Sequence, residues 1–241
     1  MLKINTLLTI CCFTLFFSCK DDVNTTFEDI NITTENNNVV EVNIPKAVGN
    51  KIVSSVINSE IEKEVITNLH LGEPNAINAK SIEEGINNFN KEFETFQTDF
   101  PEISQPWEAQ IDGEIMFTSP EIISLALTSY MNTGGAHGML KVSFLNFDAT
   151  TGKTIPNKNL INDTEAFKEI ALPYFKEATK DKDIFEPELN TFKLPENIGY
   201  NDEGIVLLYN AYEIAPYSTG IIEFEIPFNE IESYLAFNSA R

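Results

Sequence analysis

Basic residues are scarce: 16 Lys plus Arg stand against 37 Asp plus Glu, a formal net charge of -21 over 241 residues. A chain this acidic cannot neutralise phosphates, which excludes a nucleic-acid partner. Cysteine is almost missing, with Cys11, Cys12 and Cys19 the only three, so nothing beyond position 19 can form a disulfide and the fold must stand on its core. Histidine is confined to His70 and His137, and tryptophan to Trp107. No His-Glu-x-x-His spacing, Gly-x-Ser-x-Gly elbow, phosphate loop or dinucleotide fingerprint occurs, so no catalytic residue, metal site or cofactor is signalled. Past Cys19 no apolar run is long enough to cross a bilayer. What is abundant is bulk: 18 Phe and 42% hydrophobic residues suffice for a sizeable core and exclude a wholly disordered acidic tail.

Lys3 precedes an apolar run from Leu7 to Phe17, the charged and hydrophobic regions of a secretory signal. The small Ser18 sits directly before Cys19, as at the processing site of bacterial lipoproteins. Residues 1–18 are therefore expected to be a lipoprotein signal peptide, with Cys19 acylated and tying the mature chain to the membrane. Loss of Lys3 makes that chain one charge more negative. Lys20-Asp21-Asp22 resembles the short acidic export signal of Bacteroidetes lipoproteins, so an outer-membrane lipoprotein is expected, with periplasmic and cell-surface exposure both open. Residues 19–38, with Asn36-Asn37-Asn38 and few apolar positions, read as a flexible tether.

Val39 to Ile44 partly alternates and stops at Pro45, which suits a strand. Ile52, Val53, Val56, Ile57, Ile61, Val65 and Ile66 recur at helical spacing until Leu71-Gly72-Glu73-Pro74. Ser81 and Glu84 match a capping box, opening a helix whose buried face is Ile82, Ile86, Phe89, Phe93, Phe96 and Phe100. After Pro106 the period turns to two: strands through Trp107 to Phe117, Ile122 to Met131 and Gly138 to Asp148, then a short fourth after Thr151-Gly152-Lys153, form an antiparallel meander. Asn162 with Glu165 is expected to cap a third helix, Asp163 to about Lys180, in which Pro173 predicts a kink or early break. An irregular segment from Asp183 to Glu196 follows. Strands at Ile198 to Tyr200, Ile205 to Tyr209 and Ile221 to Ile226 come next, then a terminal helix after Pro227. The fold class is α+β, antiparallel sheets with helices packed on one side.

Three stretches stand out: Tyr130-Met131-Asn132-Thr133-Gly134-Gly135-Ala136-His137-Gly138, then Leu145-Asn146-Phe147-Asp148 with Thr151-Gly152-Lys153, and Tyr212-Glu213-Ile214-Ala215-Pro216-Tyr217-Ser218-Thr219-Gly220 leading to Ile226-Pro227-Phe228. Their order and spacing resemble the DUF3298 family, usually preceded by a DUF4163 region, found in lysozyme-sensing anti-sigma factors of the RsiV type and beside the catalytic domain of PdaC-type peptidoglycan deacetylases. Asn43-Ile44-Pro45 and the helix with Ile57-Asn58 look like the DUF4163 portion. The resemblance implies residues 39–120 as a DUF4163-like segment and 121–241 as a DUF3298-like segment, packed as one α+β unit. It also implies an extracytoplasmic module of cell-wall sensing or modification, and, for the sensor members, lysozyme binding. No sigma-binding segment and no deacetylase domain with its aspartates and paired histidines is present.

Gly134-Gly135 between two strand patterns is expected to supply positive φ for a reversal, and Gly138 to permit close approach of backbone or ligand. His137 would stand at a strand entrance, its ring fixing the turn through a backbone carbonyl or touching a ligand. Tyr212, Glu213 and Tyr217 form a polar aromatic cluster around Pro216, closing the core edge or contacting a ligand. The leading function is a non-catalytic, lipid-anchored binding module of the envelope that recognises a cationic protein such as lysozyme, or a cell-wall component such as peptidoglycan. Two alternatives are an enzyme on peptidoglycan or another envelope polymer, with His137 as acid or base beside a Glu or Tyr, and an accessory subunit docking on another envelope protein.

Overall fold

The computed structural model describes residues 25–102, 105–185 and 192–238; the signal peptide, Cys19 and Lys20-Asp21-Asp22 lie outside them. Asn50 opens the first helix, its side chain accepting from the N–H groups of Ile52 and Val53. This helix, α1 (Lys51–Leu69), buries Val53, Ile57, Ile61, Val65 and Ile66, each worth roughly 1.5–3 kcal/mol relative to exposure. Ile52, expected on that face, is 77% exposed. The helix α2 (Ile82–Asp99) starts at Ser81, whose hydroxyl accepts from Glu84 N while the Glu84 carboxylate reaches back to Lys80 N. Its Phe stripe is buried only at first: Phe89 is covered, Phe93 and Phe96 are half-buried against Trp107, and Phe100 is exposed.

These helices cover one face of a five-stranded sheet in the order β1-β2-β3-β4-β5. The strands are β1 (Thr26–Ile32), β2 (Val40–Val48), β3 (Glu108–Thr118), β4 (Ile122–Asn132) and β5 (Met139–Asp148). Neighbours are antiparallel except β2 and β3, which run parallel from Val40↔Ala109 to Asn43↔Asp112 across the crossover through α1 and α2. Two expectations change here. The tether expected over 19–38 contains β1, which pairs with β2 from Thr26↔Val48 to Ile32↔Val42. Pro45 does not end the second strand, because the parallel ladder on that side has already stopped at Asn43 and no amide is needed there. Gly113 makes room for it: a Cβ at Gly113 would stand 2.6 Å from Pro45 Cδ.

The opposite face of the sheet carries a second layer. The helix α3 (Thr164–Ala178), the strands β6 (Asn197–Tyr200), β7 (Gly204–Tyr209) and β8 (Ile222–Pro227) in one antiparallel sheet, and the short α4 (Phe228–Ile231) enclose a second core with Phe167, Tyr200, Leu207 and Ile226. Alternation in β4 assigns its residues to the two cores: Ile123, Leu125 and Leu127 face α1 and α2, whereas Ile122 joins the second core. The division expected at 120/121 falls in the β3–β4 turn, within one sheet. The fourth strand of the meander is no more than a bridge, Phe147↔Thr154. Asp163, not Asn162, caps α3 by accepting from Ala166 N, since the Asn162 amide is drawn off to Leu235 O. The helix runs five residues past Pro173 without breaking.

Candidate functional site

β5 is the last strand of its sheet, and its outer edge meets the second layer through side chains. The Asn210 amide donates to Val142 O and accepts from Val142 N, both at 2.8 Å. Asn197 accepts from Phe144 N at 2.9 Å, and Asn146 donates to Ile198 O at 2.8 Å. An edge that could pair with a foreign strand is thus closed by amides that imitate backbone. At the end of the same edge the Tyr217 hydroxyl donates to Gly138 O at 2.7 Å.

That last bond brings two distant motifs together. The His137 ring lies on the Tyr217 ring with centroids 3.7 Å apart and planes at 15°, and its Nδ1 is 3.1 Å from Gly138 O. Tyr217 in turn packs on Tyr212, centroids 5.8 Å apart. Gly138 is the pivot: a Cβ there would stand 2.4 Å from the Tyr130 ring, so the close approach it allows is of a tyrosine, not a ligand. Three stacked rings from the β4–β5 and β7–β8 connections therefore form one surface, with the outermost, Tyr212, 52% exposed and Leu140 of the adjoining strand 42% exposed.

Tyr212 is held in an unusual way. Its φ is +70°, in the left-handed region that a bulky side chain disfavours. The turn around it is clamped by Glu213, whose two carboxylate oxygens accept from Glu196 N and Asn210 N, each at 2.9 Å. Tyr212 N also donates to Ala215 O. Burial pushes the Glu213 carboxyl above its ordinary range; the two backbone N–H groups pull it back, and Glu196 adds a smaller upward push. Glu213 therefore belongs to the scaffold of the site, and its clamp continues through Asn210 into β5.

The glycines of the first motif act locally. Gly134 has φ +79° and accepts close contact with Trp107, 3.5 Å from a Cβ placed there; its N–H bonds to Asn132 Oδ1. Gly135, expected to share that conformation, does not have positive φ and is exposed. His70 sits elsewhere, at the end of α1, with Nε2 3.0 Å from Glu73 O. Among the described residues no group of three or more His, Cys, Asp or Glu is arranged to hold a metal ion, and no helix is long and apolar enough to cross a membrane. Tyr130, Asn197 and Asn210 were not singled out from the sequence. A lone Asn at a strand end has no local mark of a bond to a strand far away in the chain.

The family model described as Deacetylase PdaC matches residues 32–140, and that described as a protein of unknown function (DUF3298) matches residues 157–229. A DUF3298 domain is thus present, preceded by a PdaC-type region, with boundaries unlike the expected 39–120 and 121–241. A search of curated proteins gives no match. Among solved structures, a DUF3298-family member from Bacteroides fragilis superposes with TM-score 0.61 at 18% identity, covering 91% of this chain and 96% of its own. A DUF3298-family protein from Pseudomonas aeruginosa PAO1 gives 0.57 at 19% identity, covering 90% and 96%. Both share the α+β fold. His137 lies in the PdaC-type region and Tyr212 and Tyr217 in the DUF3298 domain, so the ring stack stands where the two regions meet.

Proposed function

We propose that this protein is a lipid-anchored, extracytoplasmic binding module of the cell envelope that holds a cationic protein, of which lysozyme is the type, on the surface formed by His137, Tyr217 and Tyr212. The observation that carries this reading is Tyr212: an aromatic residue kept at φ +70° with its ring turned to solvent. Strain of this kind, about 1–3 kcal/mol, persists where function requires it. Tyr rings with one free face bind Arg and Lys by cation–π contact and recur among the residues that dominate interfaces. The net charge of -21 would steer a basic partner inward and speed association, an effect that salt weakens. Anchoring through Cys19 on the outer membrane, facing the periplasm or the exterior, belongs to the same proposal.

A cell-wall component is the second occupant of this surface, supported by the PdaC description of the first region. The acid–base alternative finds its groups engaged: both Glu213 oxygens accept backbone N–H bonds, and the Tyr217 hydroxyl and His137 Nδ1 both meet Gly138 O. Pull-down of purified lysozyme by the protein at low and high salt tests the leading reading. A complex at low salt that weakens with salt is expected, and no complex at low salt rejects it.

A further inference from the structure

The second layer contains a cavity of about 330 Å³ between the first turn of α3 and the segment leading into β6. Its apolar wall is Ile161, Leu194, Pro195 and Ile198, and three lysines, Lys158, Lys168 and Lys193, complete the lining. The chain has only 16 basic residues, so the meeting of three at one cavity runs against the charge of the rest of the molecule. A Lys side chain lays its methylene stem along apolar surface and keeps its ammonium at the mouth, which makes this lining apolar within and cationic at the rim.

Two further features point the same way. Thr164, the first residue of α3, borders the cavity, so the positive end of a 15-residue helix faces it. Lys168 is 32% exposed and its ammonium is 2.8 Å from Glu165 Oε1, but that carboxylate is 84% exposed. Such a surface pair contributes little, and the Lys168 ammonium can exchange Glu165 for another anion at small cost.

We infer that this cavity is a binding site for a small anionic amphiphile, a phosphate or carboxylate head on a short apolar body, with the body on Ile161, Leu194 and Ile198 and the head among Lys158, Lys168 and Lys193. Its volume is at the lower end for small-molecule sites, which limits the body to one short chain or small group. The site is separate from the ring stack and does not rest on the function proposed for it. The anionic head can come from a lipid or from a free metabolite, and the chemistry is shared.

The test is calorimetric titration of the protein at moderate salt with octyl phosphate, octanoate, inorganic phosphate, octyl glucoside and octyltrimethylammonium. Octyl phosphate and octanoate are expected to bind, and the neutral and cationic octyl compounds at least fivefold more weakly. Inorganic phosphate is expected to bind more weakly than octyl phosphate, and equal binding overturns the apolar half of the proposal. Replacing Lys158, Lys168 and Lys193 by Gln should weaken octyl phosphate at least fivefold. The single K158Q variant, at an exposed position, should weaken it in the same direction should the triple variant fail to fold. In the unaltered protein the methyl resonances of Ile161 and Ile198 should shift during the octyl phosphate titration. Equal binding of all octyl compounds, unchanged affinity in K158Q and the triple variant, or methyl resonances that stay still overturns the proposal. If vesicles of anionic lipid compete with octyl phosphate, a lipid is the source of the head; if they do not, a soluble anion is.

Discussion

The imidazole of His137 lies face to face on the phenol of Tyr217, 3.7 Å between centroids, with both side chains directed at the same carbonyl, that of Gly138. The pair joins the PdaC-type region to the DUF3298 domain at the edge of β5. Replacing Tyr217 by Phe keeps the stack and removes one hydrogen bond. Chemical denaturation should show a loss of about 1 kcal/mol, with the His137 ring resonances still ring-current shifted. Tyr217→Ala should lose that shift altogether.

Asn210 is the stronger fastening. Its amide satisfies both the N–H and the C=O of Val142, and Val142 is buried, so Asn210→Ala leaves two backbone groups of β5 without partners. A loss of roughly 2–4 kcal/mol is expected from denaturant unfolding. Asn210→Asp retains the acceptor but not the donor and should also destabilise the protein.

Glu213 gives a pH dependence of known sign. Its carboxyl titrates above the ordinary range in the folded protein, chiefly through burial, so ionisation favours the unfolded chain. Its stabilising contribution is full below the unfolded carboxylate pKa and declines as pH rises through the folded one. The gap in melting temperature between the protein and its Glu213→Gln variant should therefore be widest in acid and narrow toward neutrality; a gap that widens with pH contradicts the assignment.

Glu223 carries the same sign for a different mixture of causes. Burial raises it first, and Glu225 and Glu114 add like-charge repulsion. Glu223→Gln removes a charge that opposes folding near neutral pH. Thermal unfolding should show a higher melting temperature than the parent near pH 7 and no gain in acid, where the carboxyl is already neutral.

Much of the fold could be read locally because its signals are local. Ser81 with Glu84 marked the start of α2, and the three- and four-residue recurrence from Val53 to Ile66 marked α1. β1 escaped notice because Phe27, Ile30 and Ile32 break the alternation of a half-buried strand and the partner that orders them lies beyond a loop. Pro45 misled for a related reason: a proline stops a strand only where its missing amide faces a ladder, and where the ladder ends is decided by β3. In the candidate site His137, Tyr212 and Tyr217 were legible as unusual residues in two motifs. That they stack, and that Glu213 turns away to clamp the backbone, depends on Gly138 and Asn210 meeting across the two layers.

The most direct test compares lysozyme binding by the protein and its Tyr212→Gly variant at low salt, with melting temperatures measured alongside. Glycine accepts φ +70° without strain, so the variant should be at least as stable as the parent. Removal of the exposed ring should nevertheless weaken lysozyme at least tenfold, about 1.4 kcal/mol. Equal affinity in the two proteins, or no binding by the parent at low salt, would contradict the ring stack as the recognition surface.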